Sequence, residues 1–190
     1  NDYGTDRKKV SVVPFGANLD KVPDRQHLKE DRSDPVNVLF IGKEWGRKGG
    51  AVACEAVRIL RSRNVNAVLH VVGCDPPGMD RDGAVVVHGF LDKKNPDHAR
   101  RLDELFGRAD FLMFPSAEEC YGVAVCEANA YGVPALAHRT GGLASLVEDG
   151  RNGFLSSTNS AQEYVDLVVR ILGDGTYRQL RRDSRSTFDT

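Results

Sequence analysis

The chain is 190 residues long and 41% apolar, which is enough to bury one sizeable core and makes a single domain the simplest organisation. Its 26 lysines and arginines against 27 aspartates and glutamates leave almost no net charge. That balance argues against a general nucleic-acid or membrane-surface binder and leaves room only for a local basic loop.

The four cysteines (Cys54, Cys74, Cys120, Cys126) form no Cys-x-x-Cys pair and lie in apolar or strand-end segments. They read as buried free thiols in a reducing compartment. The five histidines (His27, His70, His88, His98, His138) are dispersed without metal-ligand spacing, so no metal site is expected, and His70 and His88 read as core or strand-end residues. No run is long or apolar enough to span a bilayer and no signal peptide is visible. The expected location is the cytoplasm, with peripheral attachment to the inner face of a membrane as the variant. The chain opens on Asn1 rather than Met, which reads as a fragment or a processed product.

Val10 to Val13 reads as a short strand ended by Pro14-Phe15-Gly16, and the polar stretch from Asp20 to Pro35 as a linker or long surface loop. Val36 to Ile41 is a predicted strand, Gly42 to Gly50 a basic glycine-rich loop, and Ala51 to Arg61 a helix with Val52, Ala56, Val57 and Leu60 on one face. Strands follow at Ala67 to Val72 and at Ala84 to Val87, joined through Pro76-Pro77-Gly78. The second is so uniformly apolar that both its faces should be covered. Asn95-Pro96 predicts a capped start for a helix lined by Ala99, Leu102, Leu105 and Phe106. Phe111 to Phe114 is a buried strand stopped by Pro115-Ser116, and Gly122 opens a helix through Ala130. Further strands are expected at Val133 to Ala137, with Thr140-Gly141-Gly142 as exit turn, and at Gly153 to Leu155. Ser160 to Glu163 is a capping box leading an amphipathic helix to Leu172, and Asp174 to Phe188 is a polar helix with its arginines mostly outward. Strands alternating with helices at this spacing predict an α/β fold, a doubly wound Rossmann-like parallel sheet. The expected division is 1–35 as lead-in strand and linker, 36–172 as the Rossmann-like domain and 173–190 as a C-terminal helix.

Glu127 is the odd residue: the only charge between Val123 and Ala130, in a helix apolar nearly all round. An unpaired buried carboxylate is costly, so it should face a cavity or hold a hydrogen-bonding partner. With Glu119 it sets two carboxylates beside a helix N-terminus at the carboxyl end of a strand, where open α/β sheets bind ligands. Several strands also leave on glycine (Gly42, Gly73, Gly89, Gly141-Gly142), and Lys43, Arg47 and Lys48 stand in the first of these exits. A solvated basic loop and an anion site are nearly even readings of those three cations, and the clustered glycines favour the anion. No Walker spacing and no Gly-x-Gly-x-x-Gly fingerprint follows any strand, which counts against P-loop hydrolases and ordinary dehydrogenases.

Four segments together resemble one family. Val13 to Asp20 resembles a Pro-Asn/Phe-Gly-Val-Asp lead-in. Gly42-Lys43 to Arg47-Lys48-Gly49 resembles a Gly-Arg-x4-Lys-Gly phosphate loop. Glu119 and Glu127 resemble a Glu-x7-Glu signature, and Thr140-Gly141-Gly142 with Glu148 to Leu155 resembles the closing block. From about Val10 to Leu172 the chain is similar to the C-terminal, donor-binding half of GT-B type retaining glycosyltransferases of the group 1 family.

The resemblance implies a nucleoside-diphosphate sugar as donor substrate, with no other cofactor and no metal. Lys43 and Lys48, on Gly42's loop, would neutralise the diphosphate and stabilise the leaving group. Glu127 would accept from the ribose hydroxyls, and Glu119 would contact the transferred sugar; Glu119, Lys43 and Lys48 are the catalytic candidates. Amides of Tyr121, Gly122, Val123 and Ala124 would line the sugar and phosphate pocket, and backbone at Gly89 and Phe90 would bracket the base. For Glu119 the bland alternative is a carboxylate favouring a helix dipole, and for Glu118 the bland reading prevails. Lys43 stands where the family usually has arginine, replacing a forked phosphate contact by a point charge. Cys120 stands at a frequent proline, and Ser145 at a frequent glutamate. The acceptor (a saccharide, lipid or small molecule) would bind through an N-terminal half absent from this sequence, without which the chain is expected to be inactive or nearly so. A non-catalytic nucleotide- or partner-binding module of the same fold is the alternative, as is a GT-B isomerase or phosphorylase.

Overall fold

The structure is a computed structural model that describes residues 4, 6–11, 13, 15–77 and 83–189. β1 (Val36–Ile41) feeds α1 (Gly50–Ser62), which returns to β2 (Ala67–Val72) and then β3 (Val85–Val87). α2 (Pro96–Arg108), β4 (Phe111–Phe114), α3 (Val123–Ala130) and β5 (Ala135–His138) follow. The short α4 (Leu143–Leu146), β6 (Gly153–Ser156), α5 (Ala161–Gly173) and α6 (Tyr177–Phe188) close the described chain. The strands form one sheet in the order β3-β2-β1-β4-β5-β6, every pair parallel. The expected doubly wound α/β class is therefore found.

Continuous apolar runs make these strands because both faces are covered. One core lies against α1 and α5 and holds Phe40, Phe111, Met113, Leu60 and Tyr164; the other lies against α2 and α3 and holds Leu39, Leu112, Phe106 and Val125. Each such side chain, fully buried, contributes about 2 kcal/mol. β1 sits at the centre, pairing with β2 from Val36↔Ala67 to Ile41↔Val72 and with β4 through Val38↔Phe111 and Leu39↔Leu112. Its order reverses there, since β2 lies on one side and β4 on the other.

Four expectations need correction. Val10 to Val13 is not a strand in its described part: Val10, Ser11 and Val13 are irregular and exposed, while Val12 and Pro14 lie outside the described residues, as does Gly78. Neither edge strand pairs with the described residues of that run, and extended backbone without a neighbouring strand leaves its polar groups to water. β3 is an edge strand, so Val86 and Val87 are 40% and 38% exposed instead of covered on both faces. Only half of the capping box forms. The Ser160 hydroxyl accepts from the Glu163 amide, but the Glu163 carboxylate turns to the amides of Ser157 and Thr158, both at 2.9 Å, and to the Ser156 hydroxyl. Those donors hold its carboxyl down at about 2 against the opposing effect of burial.

The fourth correction concerns α6. Arg178 and Arg182 face outward, but Arg181 and Arg185 are 3% and 7% exposed. Arg181 donates to the carbonyls of Lys29 (2.7 Å), Ala109 (2.8 Å) and Tyr131 (3.2 Å), and Arg185 to that of Ala130 (2.5 Å). They neutralise the C-terminal carbonyls of α2 and α3, where a cation is favoured. Beside them Asp110, fully buried, accepts from Lys29 (2.5 Å), Tyr177 (2.6 Å) and the amides of Ser33 (3.1 Å) and Asn37 (2.7 Å). Residues 25–33 are therefore pinned to the base of the domain rather than loose. The thiols also divide: Cys54 and Cys126 are buried, Cys74 is half-buried and Cys120 is exposed.

On the α2 side of the sheet His70 Nε2 meets Asn37 Oδ1 at 3.0 Å and His70 Nδ1 meets His88 Nε2 at 3.1 Å. Because Asn37 uses its amide nitrogen on the Pro35 carbonyl, its oxygen accepts from His70 Nε2, so the neutral His70 imidazole carries its proton there and presents Nδ1 to His88 as an acceptor. Burial, with His88 beside it, pushes the His70 imidazole from its ordinary 6.5 down to about 4.

Two outcomes follow for stability. Arg181→Met should cost about 3 kcal/mol in urea unfolding, because three buried carbonyls lose their donor at once; a loss near zero would show that water replaces the guanidinium. Between about 4 and 6.5 the unfolded chain binds a proton at His70 that the folded one rejects. Stability should be complete above the upper value and fall as pH drops towards the lower one. Denaturant midpoints at about pH 7 and about pH 5 should differ less in His70→Gln than in the parent chain.

Candidate functional site

The carboxyl ends of β1 and β4 are neighbours, so the loops leaving them meet. From β1 runs the loop 42–49. Trp45 anchors it by packing edge-on against Phe40, with ring centroids 5.6 Å apart. Gly49 is in the left-handed region (φ +74°), and a Cβ there would stand 2.0 Å from the Pro115 carbonyl oxygen. Only glycine lets this loop touch the exit of β4 so closely. The Arg47 carbonyl then accepts from the Ala117 amide (2.9 Å), and the Arg47 guanidinium donates to the Glu118 carbonyl (3.1 Å) and to Glu44. From β5 comes the turn at Gly141, where a Cβ would lie 1.8 Å from the Glu119 carbonyl oxygen. Three loops are thus gathered at one sheet edge, where Gly42 and Gly73 extend the ladder by donating to the Val72 and Gly89 carbonyls (2.9 and 2.8 Å).

The gathering makes two clefts. The first, about 400 Å³, is lined by Gly42, Lys48, Phe114, Glu119 and the stretch Cys120 to Ala124, with Phe15 over it. Lys48 forms an ion pair with Glu119 and lies over the Phe114 ring, 5.0 Å from its centroid. Both side chains are mostly buried, which strengthens their attraction relative to water. The N-terminus of α3 begins after Gly122 (φ +100°) and carries no side-chain cap, so its first amides are donors turned to this cleft.

The second cleft, about 640 Å³, lies between residues 18–21 and the start of α2; Lys43, Phe90, Lys93, Leu102 and Phe106 line it. Lys43 sits over the Phe90 ring at 4.8 Å. Lys43 and Phe90 are therefore brought together, but apart from the Lys48–Glu119 pair. Gly89 lines neither cleft and serves the ladder through its carbonyl.

Glu127 is only 6% exposed, and its ion-pair partner is Lys93 rather than either lysine of the glycine-rich loop. Burial pushes its carboxyl above the ordinary carboxylate range, opposed by Lys93 and by the Asn18 backbone. Sequence reasoning missed Lys93, although Lys93-Lys94 ahead of Asn95-Pro96 marked a basic turn at a helix start. It also missed Phe15, whose carbonyl accepts from the Tyr121 hydroxyl (3.0 Å) and the Cys126 thiol (3.8 Å) and whose ring packs edge-on against Tyr121. Glu118 is exposed, in keeping with the bland reading. Among the described residues no group of three or more His, Cys, Asp or Glu side chains could hold a metal ion, and no helix is long and apolar enough to cross a membrane.

Comparison with known proteins gives this arrangement a family. Residues 35–174 match the family described as "Glycosyl transferases group 1". A D-inositol 3-phosphate glycosyltransferase of Nocardia farcinica is 30% identical over 191 residues, covering 90% of this chain and 42% of that protein. The chain spans less than half the length of such curated relatives. Among solved structures, the C-terminal domain of a group 1 family protein (LpcC) from Francisella tularensis matches with a TM-score of 0.66 at 18% identity, covering 85% of this chain and 93% of that one. HepE of Anabaena, in complex with UDP and glucose, matches with a TM-score of 0.67 at 20% identity, covering 81% of this chain and 43% of that one. The chain belongs to the group 1 glycosyl transferases and has the Rossmann-like fold of the C-terminal half of a GT-B enzyme.

Proposed function

We propose that this chain is the nucleotide-sugar-binding half of a retaining, metal-independent glycosyltransferase. The observation that carries the reading is the Lys48–Glu119 pair in a cleft closed by the uncapped N-terminus of α3. A cation and free helix amides on one side suit a diphosphate, and a carboxylate beside them suits the hydroxyls of a sugar. The UDP and glucose held by HepE, which shares the fold, support the same class of ligand.

In this reading Lys48, with Lys43 from the adjoining cleft, takes up charge as the anomeric carbon–oxygen bond breaks and the nucleoside diphosphate leaves with the bonding electrons. Lys48 has three donors, so it can serve a phosphate oxygen while still contacting Glu119. Glu119 orients the sugar, and the amides of Tyr121 to Ala124 line its pocket. Phe90 and the Gly89 backbone flank the base, and Glu127 accepts from the ribose hydroxyls. The acceptor hydroxyl, held by the other half of the enzyme, attacks the same face that the leaving group departs from and gives its proton to the diphosphate oxygen freed there. The curated relative's name suggests a phosphorylated polyol as one acceptor class.

Calorimetric titration of the chain with UDP, GDP and ADP tests the donor assignment. At least one nucleoside diphosphate should bind, and Glu127→Ala and Lys48→Ala should each weaken it by about tenfold or more. Unchanged affinity in both variants would remove the basis of the assignment. Sugar transfer by the chain alone should be negligible, because an active cleft requires the second wall; robust turnover measured with radiolabelled donor would contradict this.

A further inference from the structure

The least expected contact at this end of the sheet is the one between Lys93 and Glu127. Lys93 belongs to the turn between β3 and α2, is 34% exposed, and has two partners: the Glu127 carboxylate and the Asn18 carbonyl at 2.7 Å. Glu127 projects from a helix whose residues 125–130 are all buried, so its charge depends on what meets it. From the β3–α2 turn that is Lys93; from the lead-in it is the Asn18 backbone; from α3 and its end it is Cys126 and Tyr131, and Tyr131 donates to Asp103 of α2 at 2.6 Å. Lys93 is the one cation in that set.

We infer that Lys93 is a positioning residue for nucleotide binding: it fixes the Glu127 carboxylate, ionised and correctly turned, to accept from two vicinal hydroxyls. The inference rests on the proposed donor site, in which Glu127 grips the ribose. Two hydroxyls are neutral donors and cannot replace a full positive charge beside a desolvated carboxylate. Lys93 therefore stays on Oε1, and the free lone pairs of the carboxylate take the ribose. The Asn18 carbonyl restrains the ammonium group from the other side, so the lysine is held rather than swinging in solvent. Lys93 also lines the larger cleft beside Phe90 and Lys43, which places the Glu127 contact behind the wall of that cleft.

The test is calorimetric titration of UDP into the 190-residue chain, or of GDP or ADP if one of those is the nucleotide that binds, with each variant checked for folding by circular dichroism. Lys93→Met should weaken binding about tenfold, and the loss should grow as pH falls, because a carboxylate without its cation takes up a proton sooner. Lys93→Arg should restore most of the affinity and the parent pH profile. In a Glu127→Gln background Lys93→Met should have no further effect, since the lysine acts through the carboxylate. Tighter binding by Lys93→Met would show that the lysine competes with the ribose, and it would overturn the inference. So would an unchanged affinity and pH profile, or equal losses with and without Glu127. If the unsubstituted chain binds none of the three nucleotides, the donor assignment itself fails and takes this inference with it.

Discussion

The adjacency of β1 and β4 governs what this molecule can do. Two strands far apart in sequence pair through only a few residues at the middle of the sheet, and the helices that follow them leave towards opposite faces. A crevice therefore opens above their carboxyl ends, and whatever the two exit loops carry is brought face to face. Lys48 and Glu119 lie 71 residues apart and become an ion pair for that reason. The fold supplies proximity, and the glycines at 49 and 141 refine it by removing the Cβ atoms that would hold the loops apart. A larger residue at either position would meet a backbone carbonyl, which cannot move aside as a flexible side chain can.

The same economy explains α3. A helix covered on all sides needs no polar face, and its sequence is almost uniformly apolar. Its exposed requirements are at its ends. At the N-terminus the amides are left for the cleft; at the C-terminus α6 reaches across with Arg185 to the Ala130 carbonyl and with Arg181 to that of Tyr131. The final helix thus satisfies the base of the helix whose other end forms the site. The base of the domain holds a second buried network around Asp110, so α3 is set against a rigid floor.

Much of this was legible in the sequence, and the failures have a common cause. β1, β2 and β4 match their expected limits residue for residue, because a parallel strand covered on both faces must be an unbroken apolar run. The glycine exits and the Asn95-Pro96 helix start are local signals and were equally readable. Arg181 and Arg185 were not: they lie four residues apart on the buried face, and their partners are backbone carbonyls that leave no mark in the sequence. β3 reads as a central strand because strand order is a tertiary property. Lys93 was missed for the same reason, since nothing near residue 93 announces a carboxylate 34 residues later. The site was legible as an ingredient list, and the loops that carry Lys48 and Glu119 do meet in the structure. Its division into two clefts was not.

That division bears on how the ends of a nucleotide-sugar would be told apart. Lys48 stands over Phe114 in the cleft of the helix N-terminus, whereas Lys43 stands over Phe90 in the larger one, whose lining also carries Asp20, Asp92 and Lys94. The two lysines leave the same short loop in different directions, so one elongated ligand carrying charge at its middle would touch both while its two ends lie in separate compartments. The segment ahead of β1 closes this arrangement from above. Phe15 accepts from Tyr121 and Cys126, and Asn18 from Lys93, so residues 15–18 run along α3 and touch groups of both clefts. Displacing that segment would break those contacts together and loosen the surroundings of Glu127 and of the Tyr121 wall at once. The path of residues 15–18 is thus part of the site's construction, because the same short segment braces the Tyr121 wall and the lysine that meets the carboxylate in α3.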